Sequence, residues 1–193
     1  MVRARVDRCR DKALILRDFR KTAIVLEELG LEYESIYLDF QKGEQKTAEY
    51  TKYNPNARIP ALIDHSNDDF VIWYAMFGVA PLHSILIHRA AGRESNAIIM
   101  YLANKYDHEH KISASSENDK HLQFQWFCFQ SSSQDSFSQA FWFARFHQEK
   151  LPSAIERYVT ETLRVFGVLD GVLAKQEWLV GGKPSIVDTS FVL

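Results

Sequence analysis

Only two cysteines, Cys9 and Cys128, occur in the 193 residues, far apart and in no C-x-x-C pair. That excludes a compact cysteine-ligated zinc site and a self-contained dithiol redox centre, and it fits a reducing compartment, the cytoplasm by default. No apolar run reaches the roughly twenty residues a membrane-spanning helix needs. The basic first segment is interrupted by Asp7, Asp11 and Asp18, and its apolar run, Ala13–Leu16, is too short for a secretory signal. Those acids also argue against a mitochondrial presequence, and Arg3–Arg10 reads as a solvated tail. Charge of one sign is missing as well: a net charge of −2 gives no electrostatic basis for binding nucleic acid. His83, His88 and the other histidines share no ligand spacing on a helix face, so the sequence gives no reason to expect a metal.

What is present is apolar. Hydrophobic residues make up 46 % of the chain, with 13 Phe and 4 Trp, enough for a sizeable packed core and against disorder. The length suits one ordinary domain or two small ones. Ala23, Leu26 and Leu29 recur at helical spacing in Lys21–Leu29, and Gly30 stands where a helix C-terminus is closed. Tyr33–Phe40 alternates as a strand does, and a short helix fits the polar stretch that follows. Pro60–Asp64, a turn and Phe70–Trp73 form a hairpin pattern. From Glu94 the period is helical again, through Tyr106. Beyond residue 108 only helical patterns occur: Lys120–Gln148, aromatic and amphipathic; Ser153–Lys175, with Pro152 placed to start it; and a capping box of Ser185 and Asp188. The chain therefore divides into a mixed half, 13–107, and an all-helical half, 108–193.

Two places carry candidate chemistry. Ile59–Pro60 in "NPNARIPAL" stands at a strand entrance. A cis peptide there, a form nearly confined to proline, turns the Ile59 backbone outward, where an extended peptide can pair with it as an added strand does; a trans proline that merely begins a strand is the plainer reading. Glu94 and Ser95 precede the second helical pattern. A helix N-terminus favours an anion. The serine can donate to a carboxylate while the acid takes an ammonium; an ordinary cap is the alternative.

"NPNARIPAL", "ESNAIIMYL" and "WLVGGKPSIVDTSFV" occur in that order, after "ELGLEYESIYLDFQKGEQKTAEYTKY". Together they resemble the glutathione transferase family, most closely the fungal members that include the yeast nitrogen-regulator and prion protein. The resemblance spans most of Lys21–Trp73 and Glu94–Val192 and implies an α+β protein: a thioredoxin-like domain, then an all-α transferase domain. It implies glutathione as co-substrate with no further cofactor, its cysteinyl backbone on Ile59 and Pro60 and its γ-glutamyl end on Glu94 and Ser95. Gln45 matches a polar position near the glycyl end or thiol. The implied reaction is attack of the thiolate on a small electrophile, or reduction of a peroxide, in a possible homodimer. A non-catalytic regulator that binds a partner protein is the alternative, and an inactive mis-spliced product is a third. Phe124, Phe127 and Tyr158 are candidates to line an electrophile pocket.

The chain departs from the family in three places. "ALILRDFRK" leaves almost no loop for the residue that contacts the sulfur: the carboxylate of Asp18 opposes a thiolate, and the Thr22 hydroxyl falls on a helix, so the catalytic position is unassigned and Thr22 a weak candidate. The block Tyr74–Arg93 has no Asp, Glu or Lys and stands where the family turns directly from strand to helix. Its codons can end in splice-site sequences, so it reads as a retained intron; an apolar lid is the alternative. The helix opened at Ser185 reads as a core helix cut short at Leu193.

Overall fold

The computed structural model describes residues 3–9, 17–73 and 96–192. In order, the elements are β1 (Arg3–Cys9), α1 (Arg17–Glu28), β2 (Glu32–Leu38), a 3-10 turn (Glu44–Lys46), α2 (Ala48–Thr51), β3 (Ala61–Asp64), β4 (Phe70–Trp73), α3 (Asn96–Tyr106), α4 (Glu117–Arg145), α5 (Pro152–Leu173) and α6 (Ile186–Ser190).

The strand order is β2-β1-β3-β4. β1 runs parallel to β2, with Arg3 opposite Glu32 and Cys9 opposite Leu38, and antiparallel to β3, with Ala4 opposite Asp64. β3 and β4 form the expected hairpin, Ala61 opposite Trp73. A β-α-β unit followed by an antiparallel hairpin is a thioredoxin-like arrangement, and the chain after Tyr106 is helical through α4, α5 and α6. The α+β reading therefore holds.

One reading is corrected. Arg3–Arg10 is not a solvated tail: Arg3–Cys9 is β1, an interior strand of the sheet. Its arginines gave it the composition of a tail, but a strand's place is set by the neighbours its backbone pairs with more than by its own residues. The boundary at residue 13 accordingly leaves out a strand of the sheet. Ala13–Leu16 and the block Tyr74–Arg93 lie outside the described residues, as do Glu94, Ser95 and Leu193.

Local signals explain the helix ends. Gly30 closes α1 at φ 64, with its N–H on Glu27 O and the Leu31 N–H on Leu26 O at 3.0 and 2.9 Å, the paired bonds of a Schellman turn. Ser116 caps α4, its hydroxyl accepting from the Asp119 N–H. Pro152 occupies the first turn of α5, where its missing N–H costs nothing. The box at α6 forms as read: the Ser185 N–H donates to Asp188 Oδ2 at 2.9 Å and the Ser185 hydroxyl caps the first turn. Asp188 also accepts from the Leu179 N–H at 3.0 Å, tying the preceding loop to the helix.

The main core joins both halves. Val25 and Leu26 of α1, Leu62 of β3, Ile98, Ile99 and Leu102 of α3, Phe127 of α4, and Ile186 and Val187 of α6 bury one another. Burying each such side chain contributes about 1.5–3 kcal/mol, so α1, α3 and α6 hold the sheet against the helical half. A second, smaller cluster, Tyr50, Ile59 and Ala61 with Leu38, Phe40 and Trp73 around it, lies under the entrance to β3.

Candidate functional site

The entrance to β3 is built by its own loop. The Tyr50 hydroxyl and the Asn54 amide both donate to the Arg58 carbonyl, each at 2.6 Å. Asn54, fully buried, also accepts from the Asn56 N–H at 2.9 Å, an Asx turn that shapes the loop from within. Ala57 completes the loop at φ 53, a left-handed conformation uncommon for a residue with a Cβ. The Ile59–Pro60 peptide that follows is cis. Two donors on one carbonyl leave the backbone ahead of Ile59 little freedom. Sequence reasoning missed Tyr50 and Asn54; the Asn-Pro-Asn run was the available signal for the second.

Gln45 stands in the 3-10 turn just before α2, which carries Tyr50. It is only 6 % exposed, and its Oε1 has no hydrogen-bond partner among the described residues. A buried acceptor without a donor is costly, about 1–3 kcal/mol, unless a ligand supplies one. Thr22 is fully buried on α1, and its hydroxyl likewise has no partner among the described residues.

α3 begins at Asn96, directly after Glu94 and Ser95. The Asn96 amide donates to Gln130 Oε1 at 2.8 Å and to Ser131 Oγ at 3.1 Å, so this end of α3 is bound to α4. The amide of Gln130 donates in turn to Gln134 Oε1, which also accepts from Lys21 Nζ at 3.0 Å. Lys21 is fully buried and Gln130 is 1 % exposed. A relay of polar side chains thus joins α1, α3 and α4 beside the start of α3. Asn96 Oδ1 is left without a partner among the described residues.

The other end of α3 is held by carboxylates. Asp64, at the end of β3, is 1 % exposed and accepts from the Ser66 N–H, from the Tyr101 hydroxyl at 2.6 Å and from the Tyr106 hydroxyl. Burial, then the carboxylate beside them, pushes the Tyr101 hydroxyl up to about 12 and Tyr106 further still. Asp107 accepts from the N–H groups of Lys111 and Ile112 at 2.6 and 2.9 Å. Burial raises its carboxyl, but the hydrogen bonds from Ile112, Ser113 and Lys111 prevail and hold it below the usual carboxylate range.

In the helical half, Phe124 is exposed, Phe127 is in the core, and Tyr158 stacks on Phe143 at 5.6 Å. None of the three lines the cavity that opens between α4 and α5. Among the described residues no cluster of His, Cys, Asp and Glu could hold a metal, and no helix is long and apolar enough to cross a membrane.

A thioredoxin-like sheet packed on an all-helical half defines a two-part class of proteins. The model of the glutathione S-transferase N-terminal domain matches residues 15–80, and that of the C-terminal domain matches residues 118–192. Glutathione S-transferase 2 of Schizosaccharomyces pombe is 42 % identical over 174 residues, which cover 89 % of this chain and 67 % of that one. The crystal structure of glutathione transferase URE2P8 from Phanerochaete chrysosporium with oxidized glutathione is 46 % identical, at a TM-score of 0.79 over 98 % of this chain and 75 % of that one. Ure2p5 of the same fungus, cocrystallized with 1-(S-glutathionyl)-2,4-dinitrobenzene, is 40 % identical at a TM-score of 0.74, over 98 % and 73 % of the two chains. The chain belongs to the glutathione S-transferase family, and it is similar to fungal glutathione S-transferases and to Ure2 proteins.

Proposed function

We propose that the chain binds glutathione and joins it through its sulfur to a small electrophile. The cysteinyl backbone of glutathione lies along Ile59 and Pro60, its γ-glutamyl carboxylate and ammonium meet Ser95 and Glu94, and Gln45 offers its unpartnered carbonyl to an N–H of the ligand. The glutathione thiol, ordinarily near 8.5, loses its proton to solvent. The thiolate then forms the sulfur–carbon bond as the leaving group departs with its electron pair. With a peroxide instead, two glutathiones are oxidised to the disulfide while the O–O bond is reduced to alcohol and water. No group of the protein is assigned to the sulfur: the Thr22 hydroxyl is enclosed within the protein. Under this reading the protein works in the cytoplasm, as a homodimer, divided at residues 107 and 108.

The observation that carries this reading is the fixed strand entrance, with Tyr50 and Asn54 converging on Arg58 O. It supplies a preorganised backbone edge, which reduces the ordering cost of binding an extended peptide. The relative seen with a glutathionyl-dinitrobenzene conjugate supports an aryl electrophile as first substrate to try. Calorimetry with glutathione on Glu94→Ala and Ser95→Ala tests the binding site. Each should lose a charge-assisted contact worth roughly 1.5–3 kcal/mol. Unchanged affinity in both, with the fold intact, moves the site elsewhere. Conjugation of 1-chloro-2,4-dinitrobenzene tests turnover, and binding without turnover refutes the enzymatic half of the reading.

A further inference from the structure

The relay between α1 and the start of α3 has a direction. The Asn96 amide nitrogen donates to Gln130 Oε1 at 2.8 Å and to Ser131 Oγ at 3.1 Å. The Gln130 amide nitrogen donates to Gln134 Oε1, and the same oxygen accepts from Lys21 Nζ at 3.0 Å. Gln130 and Gln134 stand one turn apart on α4 and so share a face. Lys21 is fully buried, and Gln130, Gln134 and Asn96 are each more than nine-tenths buried. Little water reaches any of them to replace a lost bond.

The direction is set at the lysine. A lysine ammonium only donates, whereas a side-chain amide donates at one end and accepts at the other. Gln134 must therefore turn its oxygen to Lys21. That oxygen also takes the Gln130 amide nitrogen, so Gln130 turns its own oxygen to Asn96, and Asn96 turns its nitrogen to Gln130. Reversing any one amide would set donor against donor in the interior, where such a mismatch weighs most. Packing alone does not account for a lysine here. A methionine of similar length would fill the space with no ammonium to desolvate. What the lysine supplies beyond packing is the orientation of three amides, the last of them on the first residue of α3.

We propose that Lys21 is a positioning residue for glutathione, orienting Gln134, Gln130 and Asn96 in turn and so holding the first turn of α3 in place for the γ-glutamyl end of the ligand. This role rests on the glutathione-binding reading above. Lys21 is enclosed, so it acts through the amides and not by contact with the ligand.

Glutathione calorimetry on the full chain tests the role through a double-mutant cycle. Lys21→Met and Asn96→Ala should each weaken binding about fivefold, and the two together also about fivefold, because both interrupt one path. Gln134→Met, which offers no comparable acceptor, should lose about as much as Lys21→Met, whereas Gln134→Glu, which keeps an acceptor for both Lys21 and Gln130, should stay within about twofold of the parent. Unchanged affinity in folded Lys21→Met, losses that multiply in the double variant, or a Gln134→Glu as weak as Gln134→Met would each overturn the role. Multiplying losses are what a merely structural lysine would give. If Lys21→Met does not fold, Gln134→Met against Gln134→Glu carries the comparison. A second readout needs no ligand: in nitrogen–proton correlation spectra the Asn96 side-chain amide signals should move in Lys21→Met, and unaltered signals would overturn the relay whether or not glutathione binds. A parent chain that does not bind glutathione overturns the proposed function and this role with it, whereas a parent that binds it and is indifferent to Lys21→Met overturns this role alone.

Discussion

The two ends of α3 are anchored in opposite ways. Its last turn is held to the sheet by Asp64 and to the next loop by Asp107, and each carboxylate meets several donors. Its first turn is held by neutral amides, and Asn96 Oδ1 keeps no partner among the described residues. A saturated cluster is what a structural anchor needs, because each unmade bond in the interior costs more than a made one contributes. An unsaturated cluster keeps hydrogen-bonding capacity, and Asn96 follows Glu94 and Ser95 in the chain. Under the proposed glutathione-binding reading, the last turn serves stability and the first turn responds to the ligand.

The contrast is most exposed at Asp64. Asp64→Ala leaves two half-buried hydroxyls and a backbone N–H without their buried acceptor, and it should cost about 3 kcal/mol in urea unfolding, with glutathione affinity unchanged wherever the chain remains folded. The same cluster makes the protein sensitive to alkali. Tyr101 titrates near 12 when folded against about 10 when unfolded. Above pH 10 the unfolded chain sheds protons that the folded chain retains, so stability falls as pH rises from about 10 to about 12. Tyr101→Phe should flatten part of that slope, and a slope unaltered in both Tyr101→Phe and Tyr106→Phe would refute the assignment.

Asp107→Asn should have the next largest effect, about 1–2 kcal/mol at neutral pH, because the Lys111 N–H bonds one carboxylate oxygen and the Ile112 N–H the other, and an amide keeps only one accepting oxygen, without charge. The folded carboxyl lies below its unfolded value, so its contribution is complete above the unfolded range and is lost as pH falls through the folded value. Thermal melts of the two proteins should therefore converge in acid; a gap independent of pH would show that the charge is not what matters.

At the first turn the effects should move from stability to binding. Asn96→Ala removes two bonds but also one unsatisfied oxygen, and should cost only about 1 kcal/mol of stability while weakening glutathione binding by a comparable factor. A loss of stability as large as that of Asp64→Ala would erase the distinction between the two ends. Gln45→Met should have the smallest effect: stability within about 0.5 kcal/mol of the parent or slightly higher, since a buried orphan acceptor is removed, with glutathione affinity reduced a few-fold by calorimetry.

Much of this fold is legible in the chain because its signals are local. The helical period of α1, α3, α4 and α5, the glycine that ends α1, the hairpin around the Asn67–Asp69 turn and the Ser185–Asp188 box each involve residues within a turn or two of one another. There, propensity and capping suffice to fix the backbone. The Ile59–Pro60 entrance is legible through the family resemblance, since its own residues left cis and trans open. Tyr50 and Asn54 were overlooked because their target, the Arg58 carbonyl, has no side-chain signature.

What the sequence by itself determined is the run of elements, their ends and the family motifs that order them. What only the tertiary structure decided is which segments meet. An arginine-rich stretch is an interior strand because β2 and β3 pair with it on both sides. Asp64 is an anchor because α3 brings two tyrosines to it. Gln130 and Gln134, unremarkable on an amphipathic helix, become the buried link between Lys21 and Asn96. Each depends on partners distant in the chain. Local propensity carries no record of them, and their bonds gain weight only where packing has removed the competing water.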